Sequence, residues 1–268
     1  MRLEELFKVS KPIIGVVHLK PLPGSPRYKG SMDEILDRAL SDAKALEEGG
    51  VDGVIIENYG DAPYLPGKVG PETVASMAIV TREVVKQLSI PVGVNVLRSD
   101  GEAALAIAAT CGASFIRVNV YTGVYVTDQG LIEGRSHAIM RAKAMLKADV
   151  KVFADVAVKH AASLAQRPLI DEALDSVERG LADAIIITGA RTGQPPSLKE
   201  LIELKEALRD VPVIVGSGVN EENVVELLRV ADGAIIGTYF KRGGIIEEEV
   251  DTSRVARLIS IVKVFRGS

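Results

Sequence analysis

Eight short apolar runs recur along this chain, each followed by a stretch with helical spacing. That alternation restricts it to folds in which parallel strands pack against helices. The runs cover 13–19, 53–58, 92–97, 115–120, 152–158, 184–188, 211–216 and 233–239. Near-continuous apolar runs of this kind belong to strands buried on both faces. The helical stretches carry their own start and stop signals. Ser31 and Glu34 form a capping box ahead of Leu36, Leu40, Ala43 and Leu46, and Gly49 and Gly50 end that helix. Pro71 opens the next. Further helices are read over about 100–111, through Met140 and Met145, and near 168–179. Ser197 and Glu200 give a second capping box, Asn220 is an N-cap, and a last helix covers roughly 252–265. A doubly wound open sheet is the rival for any such alternation. Eight evenly spaced units without leftover elements favour a single-domain (β/α)8 TIM barrel spanning 1–268, close to the ~250 residues typical of that fold. No Pro/Ser-rich linker marks a domain boundary.

The 47% hydrophobic content supplies one large core, and a net charge of −4 lacks the basic excess that nucleic-acid binding leaves. The single Cys111 excludes an intrachain disulfide and fits a reducing cytosol. With only three histidines beside it, a Cys/His zinc cluster is excluded too. The first residues, MRLEELFKVSKP, have no apolar signal-peptide region, and no run reaches the 18 or so apolar residues of a membrane span. A cytoplasmic protein is expected, with peripheral membrane attachment left open. A homo-oligomer is also expected, although no residue marks it.

In a (β/α)8 barrel the active site lies at the C-terminal ends of the strands. Polar residues collect there: His18, Glu57, Asn58, Asn95, Arg117, Asn119, Asp155, Thr188, Ser217 and Thr238. Strand ends meeting solvent turn polar anyway, which accounts for part of this set. It accounts less well for Glu57, Asn95, Asn119 and Asp155, which lie within or against apolar runs, because a buried charge needs a partner or a task. Glu57 and Asp155 are therefore the candidate acid–base groups, Asn95 and Asn119 the orienting groups, and His18 a catalyst or structural hydrogen-bonder. Lys159 is a further candidate for covalent chemistry.

Gly216-Ser217-Gly218 and Gly237-Thr238 end the seventh and eighth runs. Such loops let backbone N–H groups approach an anion, and they form a candidate phosphate corner. Position 221 is Glu, so the third glycine of a dinucleotide fingerprint is missing and NAD is not expected. Lys241 and Arg242 could add charge there, and Arg191, in the glycine-rich loop after the sixth run, could clamp an anion. No cofactor is expected. A divalent metal held by His18, Glu57 and Asp155 is conceivable, without any spacing signature. The proline-rich loop 20–28 and the loop 59–64 are read as lying over the mouth, as a lid or an oligomer contact.

Several of these segments together resemble the BtpA family. They are Gly15-Val16-Val17-His18-Leu19-Lys20-Pro21-Leu22-Pro23-Gly24-Ser25-Pro26, Gly53 through Asp61, Val94-Asn95-Val96-Leu97, Phe115 through Val120, Thr188-Gly189 through Gly193, and Val215-Gly216-Ser217-Gly218-Val219. The resemblance implies a phosphate-binding branch of the (β/α)8 barrels. It also brings a process: cyanobacterial members are described as factors in photosystem I biogenesis or stability at the thylakoid membrane. Members outside photosynthetic organisms have no assigned role, and the family carries no established catalytic residues. Two expectations follow. One is an enzyme using lyase- or isomerase-type acid–base chemistry on a small phosphorylated metabolite. The other is a non-catalytic assembly factor, for which the last helix offers an apolar face of Val255, Leu258, Ile259, Val262 and Val264.

Overall fold

The computed structural model describes residues 1–158, 160–165, 167–189 and 193–267. All eight apolar runs are strands of one closed parallel barrel. They are β1 (Ile13–His18), β2 (Gly53–Glu57), β3 (Val92–Asn95), β4 (Phe115–Val118), β7 (Lys151–Val156), β9 (Ala184–Ile187), β10 (Val213–Val215) and β11 (Gly233–Ile236). Around them lie α2 (Met32–Glu48), α3 (Pro71–Gln87), α4 (Gly101–Cys111), α5 (Ser136–Leu146), α6 (Leu169–Leu174), α7 (Leu198–Ala207), α8 (Val224–Val230) and α9 (Thr252–Gly267). The (β/α)8 expectation holds, and the open-sheet rival falls because β1 pairs with both β2 and β11.

Strand side chains alternate between two cores. Odd and even positions part because successive Cβ atoms point to opposite faces. Val17, Val54, Ile56, Val94, Ile116, Val152 and Ile185 face the helices in one cluster. Ile14, Val16, Ile55, Phe115, Phe153, Ile186, Ile214 and Ile235 fill the barrel interior in another. Phe115 and Phe153 stack there with ring centroids 4.8 Å apart. Gly93 belongs to this packing, because a Cβ on it would lie 2.2 Å from the Phe115 ring.

Two features are additions to the sequence reading. The short helix α1 (Leu3–Phe7) sends Leu3 and Phe7 into the bottom of the barrel, where Phe7 meets Phe115 edge-on at 5.6 Å. At the opposite end, β5 (Val124–Thr127), β6 (Gly130–Glu133) and β8 (Ala161–Ser163) form a small antiparallel sheet in the order β6-β5-β8. It draws on the loops after β4 and β7, and it covers the mouth.

The start of α8 also differs from expectation. The helix begins at Val224 with Asn223 as its N-cap, while Asn220 and Asn223 hold each other. Asn220 N–H donates to Asn223 Oδ1 at 2.9 Å, and Asn223 N–H donates to Asn220 Oδ1 at 3.1 Å. Asn220 therefore closes the turn that leads into the helix. The Ser197–Glu200 capping box is present in full, whereas for Ser31 and Glu34 the bond formed is Glu34 N–H to Ser31 Oγ at 3.1 Å. On α9, Val255, Leu258, Ile259 and Val262 are buried against the barrel, and Val264 is exposed. Among the described residues no helix is long and apolar enough to cross a membrane.

Candidate active site

The inward positions turn from apolar to polar one layer below the mouth. The strand register places His18 beside Glu57, Glu57 beside Asn95, and Asn95 beside Arg117. Val118 pairs with Ala154, so Asn119 and Asp155 follow as neighbours on the next inward step. His18, Glu57, Asn95 and Arg117 thus form one polar row across β1, β2, β3 and β4, and Asn119 and Asp155 form the next step towards the mouth.

An ion pair buried on both sides links the row to this step. Arg117 donates from Nε to Asp155 Oδ1 and from Nη2 to Asp155 Oδ2, both at 2.8 Å. Asn119 Nδ2 adds a third bond to Oδ2 at 3.0 Å. Asn95 Nδ2 braces the set by donating to the Arg117 carbonyl at 3.0 Å and to Asn119 Oδ1 at 3.1 Å. Burial alone would push the Arg117 guanidinium down, but Asp155, with Glu57 adding to it, holds it above the usual arginine range. This bidentate geometry gives Asp155 a different part from the acid–base one read from its position: it holds Arg117.

Above the row lies a cavity of about 810 Å³. Of the residues singled out from sequence, His18, Glu57, Arg117, Asn119, Gly216, Ser217, Gly218, Gly237 and Thr238 line it. Asn95 and Asp155 do not line it but brace Arg117 and Asn119, which do. Arg191 and Lys159 fall outside the described residues. Glu57 is nearly buried, and its charge is felt by both nearby phenols. Burial first, then Glu247 and Glu57, push Tyr59 up; burial, then Glu57, push Tyr64 up further. His18 packs edge-on against Tyr59, ring centroids 5.1 Å apart. Among the described residues no three His, Cys, Asp or Glu side chains converge as metal ligands.

The glycines of the corner are required by contacts the sequence does not reveal. A Cβ on Gly216 would lie 2.5 Å from Ile186 and 3.4 Å from Arg117 Nη2. One on Gly237 would lie 2.7 Å from the His18 ring. Gly218 has φ of +74°, and a Cβ there would sit 2.1 Å from the Pro195 backbone nitrogen. The loop after β9 is therefore pressed against the loop after β10, and Ser217 staples them: its Oγ donates to the Gln194 carbonyl at 2.9 Å. The Ser217 hydroxyl is thereby engaged. The backbone N–H groups of Ser217, Gly218 and Thr238, in contrast, have no acceptor among the described residues.

The cations of the corner also differ from expectation. Lys241 is fully buried and donates to Asp42 on α2 at 2.7 Å; burial pulls its ammonium down although Asp42 opposes this. Asp42 also accepts from Val250 N–H at 2.8 Å, so the pair clamps the segment after β11 onto α2. Arg242 pairs with Glu249 at the surface. The arginine at the rim is Arg254, in the first turn of α9, which donates to the Tyr239 carbonyl at 2.7 Å and lies 4.6 Å over the Tyr239 ring. The sequence signal for it was weak: one cation among several on the last helix.

The early loops are stitched down. Leu22 is buried and its N–H donates to Asp61 Oδ1 at 2.7 Å, while Gly60 N–H donates to the Leu19 carbonyl at 3.0 Å. Burial raises the Asp61 carboxyl although the Leu22 N–H and the Asn58 amide, which donates to Oδ2 at 2.9 Å, oppose it. Asn58 Oδ1 accepts from Leu97 N–H at 2.7 Å and ties the next loop in.

The cover over the mouth is the three-stranded sheet. Its hairpin turn brings Asp128 and Gln129 to the cavity, and β8 follows His160, which also lines it. Tyr125 fixes the sheet by donating to Glu172 on α6. Burial pushes the Glu172 carboxyl up to about 7, although the Ala157 N–H opposes it. A raised carboxyl pKa means that the folded state keeps a proton the unfolded chain has lost. Between its ordinary value of 4.5 and about 7, the contribution to stability therefore falls as pH rises. Hydrogen exchange in β5 should accordingly quicken from about pH 5.5 to about pH 8 in wild type more than in Glu172→Gln. Equal acceleration in both proteins would remove Glu172 as the cause.

A closed (β/α)8 barrel with a polar inner row, a covered mouth and donor-bearing loops after its last two strands defines the class. The chain belongs to the BtpA family: the family's model matches residues 9–264. It is 51% identical to an uncharacterised protein of Pyrococcus abyssi over 96% of this chain and 98% of that one. It is 46% identical to the photosystem I biogenesis protein BtpA of Synechocystis, over 97% and 90%. Among solved structures, the N-(5'-phosphoribosyl)anthranilate isomerase of Pyrococcus furiosus superposes with a TM-score of 0.57 at 16% identity, covering 95% of this chain and 99% of that one. That likeness is one of fold.

Proposed function

We propose that this barrel binds a small phosphorylated metabolite in its mouth and performs lyase- or isomerase-type proton chemistry on it. The phosphate rests on the backbone N–H groups of Ser217, Gly218 and Thr238, with Arg254 at the rim. Glu57 is the acid–base group, His18 and Asn119 orient the substrate, and Asn95 and Asp155 brace Arg117 and Asn119. The observation that carries this reading is that loop N–H groups with no acceptor among the described residues and a near-buried carboxylate line the same cavity. The isomerase of similar fold, whose name includes a phosphoribosyl group, supports the ligand class.

The other reading is an assembly factor like the one the Synechocystis relative's name describes. It has little of the apolar face of α9 to draw on, because Val255, Leu258, Ile259 and Val262 are buried and Val264 alone of that set is exposed. A thermal-shift screen of sugar phosphates tests the enzyme reading. A ligand at about a hundred times its Kd adds about 2.7 kcal/mol, a rise of several degrees. No shift with any phosphorylated compound, beside co-sedimentation with membranes, would favour assembly.

A further inference from the structure

The proposed phosphate site occupies one side of the mouth and leaves Arg117 without a part beyond its pairing with Asp155. The geometry points to more. A guanidinium has five N–H donors, and Asp155 takes two of them. Among the described residues, the remaining ones meet no acceptor. Arg117 nevertheless lines the cavity, with 4% of its surface exposed. The missing side chain of Gly216 keeps the space beside Nη2 open. A pair serving stability alone needs no such opening, and in an interior walled by Phe115, Phe153 and Ile186 apolar side chains would serve as well.

We infer that Arg117 receives an sp2 oxygen of the ligand, so that the substrate is a phosphate ester that also carries an enolisable carbonyl. This rests on the function proposed above and names its second pole. Asp155, Asn119 and Asn95 fix the guanidinium before any ligand arrives, which is what electrostatic stabilisation of developing charge requires. Glu57 lies on the same row, two strands away, and its charge reaches Arg117. In the step this allows, Glu57 takes the proton from the carbon next to the carbonyl. The C–H electron pair becomes a carbon–carbon double bond, and the carbonyl π pair moves onto the oxygen held by Arg117. Where that carbon carries a hydroxyl, the hydroxyl proton passes to the new oxyanion and the protonated Glu57 returns its proton to the former carbonyl carbon, so the carbonyl moves one carbon along through an enediolate and no oxidant or further reactant is needed. Gly216 touches both the corner and Arg117, so a ligand spanning the two poles can be small.

Phosphoglycolate mimics such an enediolate while keeping the phosphate, glycerol phosphate keeps the phosphate alone, and glycolate keeps the carboxylate alone. Titration calorimetry of all three against wild type, Arg117→Lys and Arg117→Met/Asp155→Leu tests the inference; the double variant removes the pair together and leaves no lone buried charge. Wild type is expected to prefer phosphoglycolate over glycerol phosphate by about ten- to a hundredfold, the worth of a charge-assisted hydrogen bond. Arg117→Lys should lose most of that preference and the double variant all of it, with glycerol phosphate bound as before. If the double variant does not fold, the lysine variant, which keeps the charge but not the fork, decides. Equal affinities in wild type, or a preference surviving without Arg117, overturns the assignment. Arg117-dependent binding of glycolate with no binding of glycerol phosphate would sink the phosphate reading and leave Arg117 in place.

Discussion

Asp155→Ala is expected to destabilise the protein by about 3–5 kcal/mol, because it leaves the buried Arg117 guanidinium without its counter-charge. For a chain of this size that lowers the melting temperature by on the order of 10 °C. Arg117 is within hydrogen-bonding distance of Asp155 through two nitrogens, and both side chains are almost fully buried. The Asn119 and Asn95 amides remain, but they are uncharged and cannot neutralise it. Arg117→Met/Asp155→Leu should recover much of the loss, since the layer beneath is already apolar. Urea unfolding of the two single variants and the double variant gives the coupling directly. Additive losses would show that the pair is not the unit described here.

Gly218→Val should act on ligand binding more than on the fold. At φ of +74° a non-glycine residue costs about 1–3 kcal/mol. Its Cβ would also overlap the Pro195 nitrogen at 2.1 Å and the Gln194 carbonyl carbon at 2.2 Å, which are backbone atoms and cannot rotate away. The loop after β9 must then separate from the loop after β10, and the N–H groups of Ser217 and Gly218 move with it. Losing charge-assisted bonds to a phosphate weakens binding by about ten- to a hundredfold each. Gly67→Ala is the control: φ there is +80°, yet nothing lies within 4 Å of the added Cβ. It should show the backbone strain with no loss of affinity, measured by calorimetry with glycerol phosphate. Equal affinity in Gly218→Val and wild type would exclude the corner as the phosphate site.

The barrel was legible because each of its strands is buried on both faces and so reads as an apolar run. The same burial made Glu57, Asn95, Asn119 and Asp155 conspicuous, and all four proved to face inward on two successive steps near the mouth. What the row does was less legible. Arg117 and Asp155 lie 38 residues apart, and the register of β4 against β7 pairs Arg117 with Phe153, so only the side-chain geometry shows that they meet. The signal available was Arg117 inside Phe115-Ile116-Arg117-Val118, a charge that needs a partner as much as Asp155 does. The covering sheet went unread because β5, β6 and β8 are three or four residues long, too short for a period to emerge, and β8 is parted from the other two by α5 and β7. Helix α1, at five residues, has the same disadvantage. Lys241 misled in the opposite way: a cation beside the corner glycines is drawn to Asp42, 199 residues away, by a packing contact with α2.

The most direct measurement is the crystal structure of the protein with phosphoglycolate. Its phosphate should lie against the N–H groups of Ser217, Gly218 and Thr238, with its carboxylate on Arg117 and within reach of Glu57. A saturated crystal with the phosphate elsewhere, or with the mouth empty, would contradict a phosphate-binding site in this barrel.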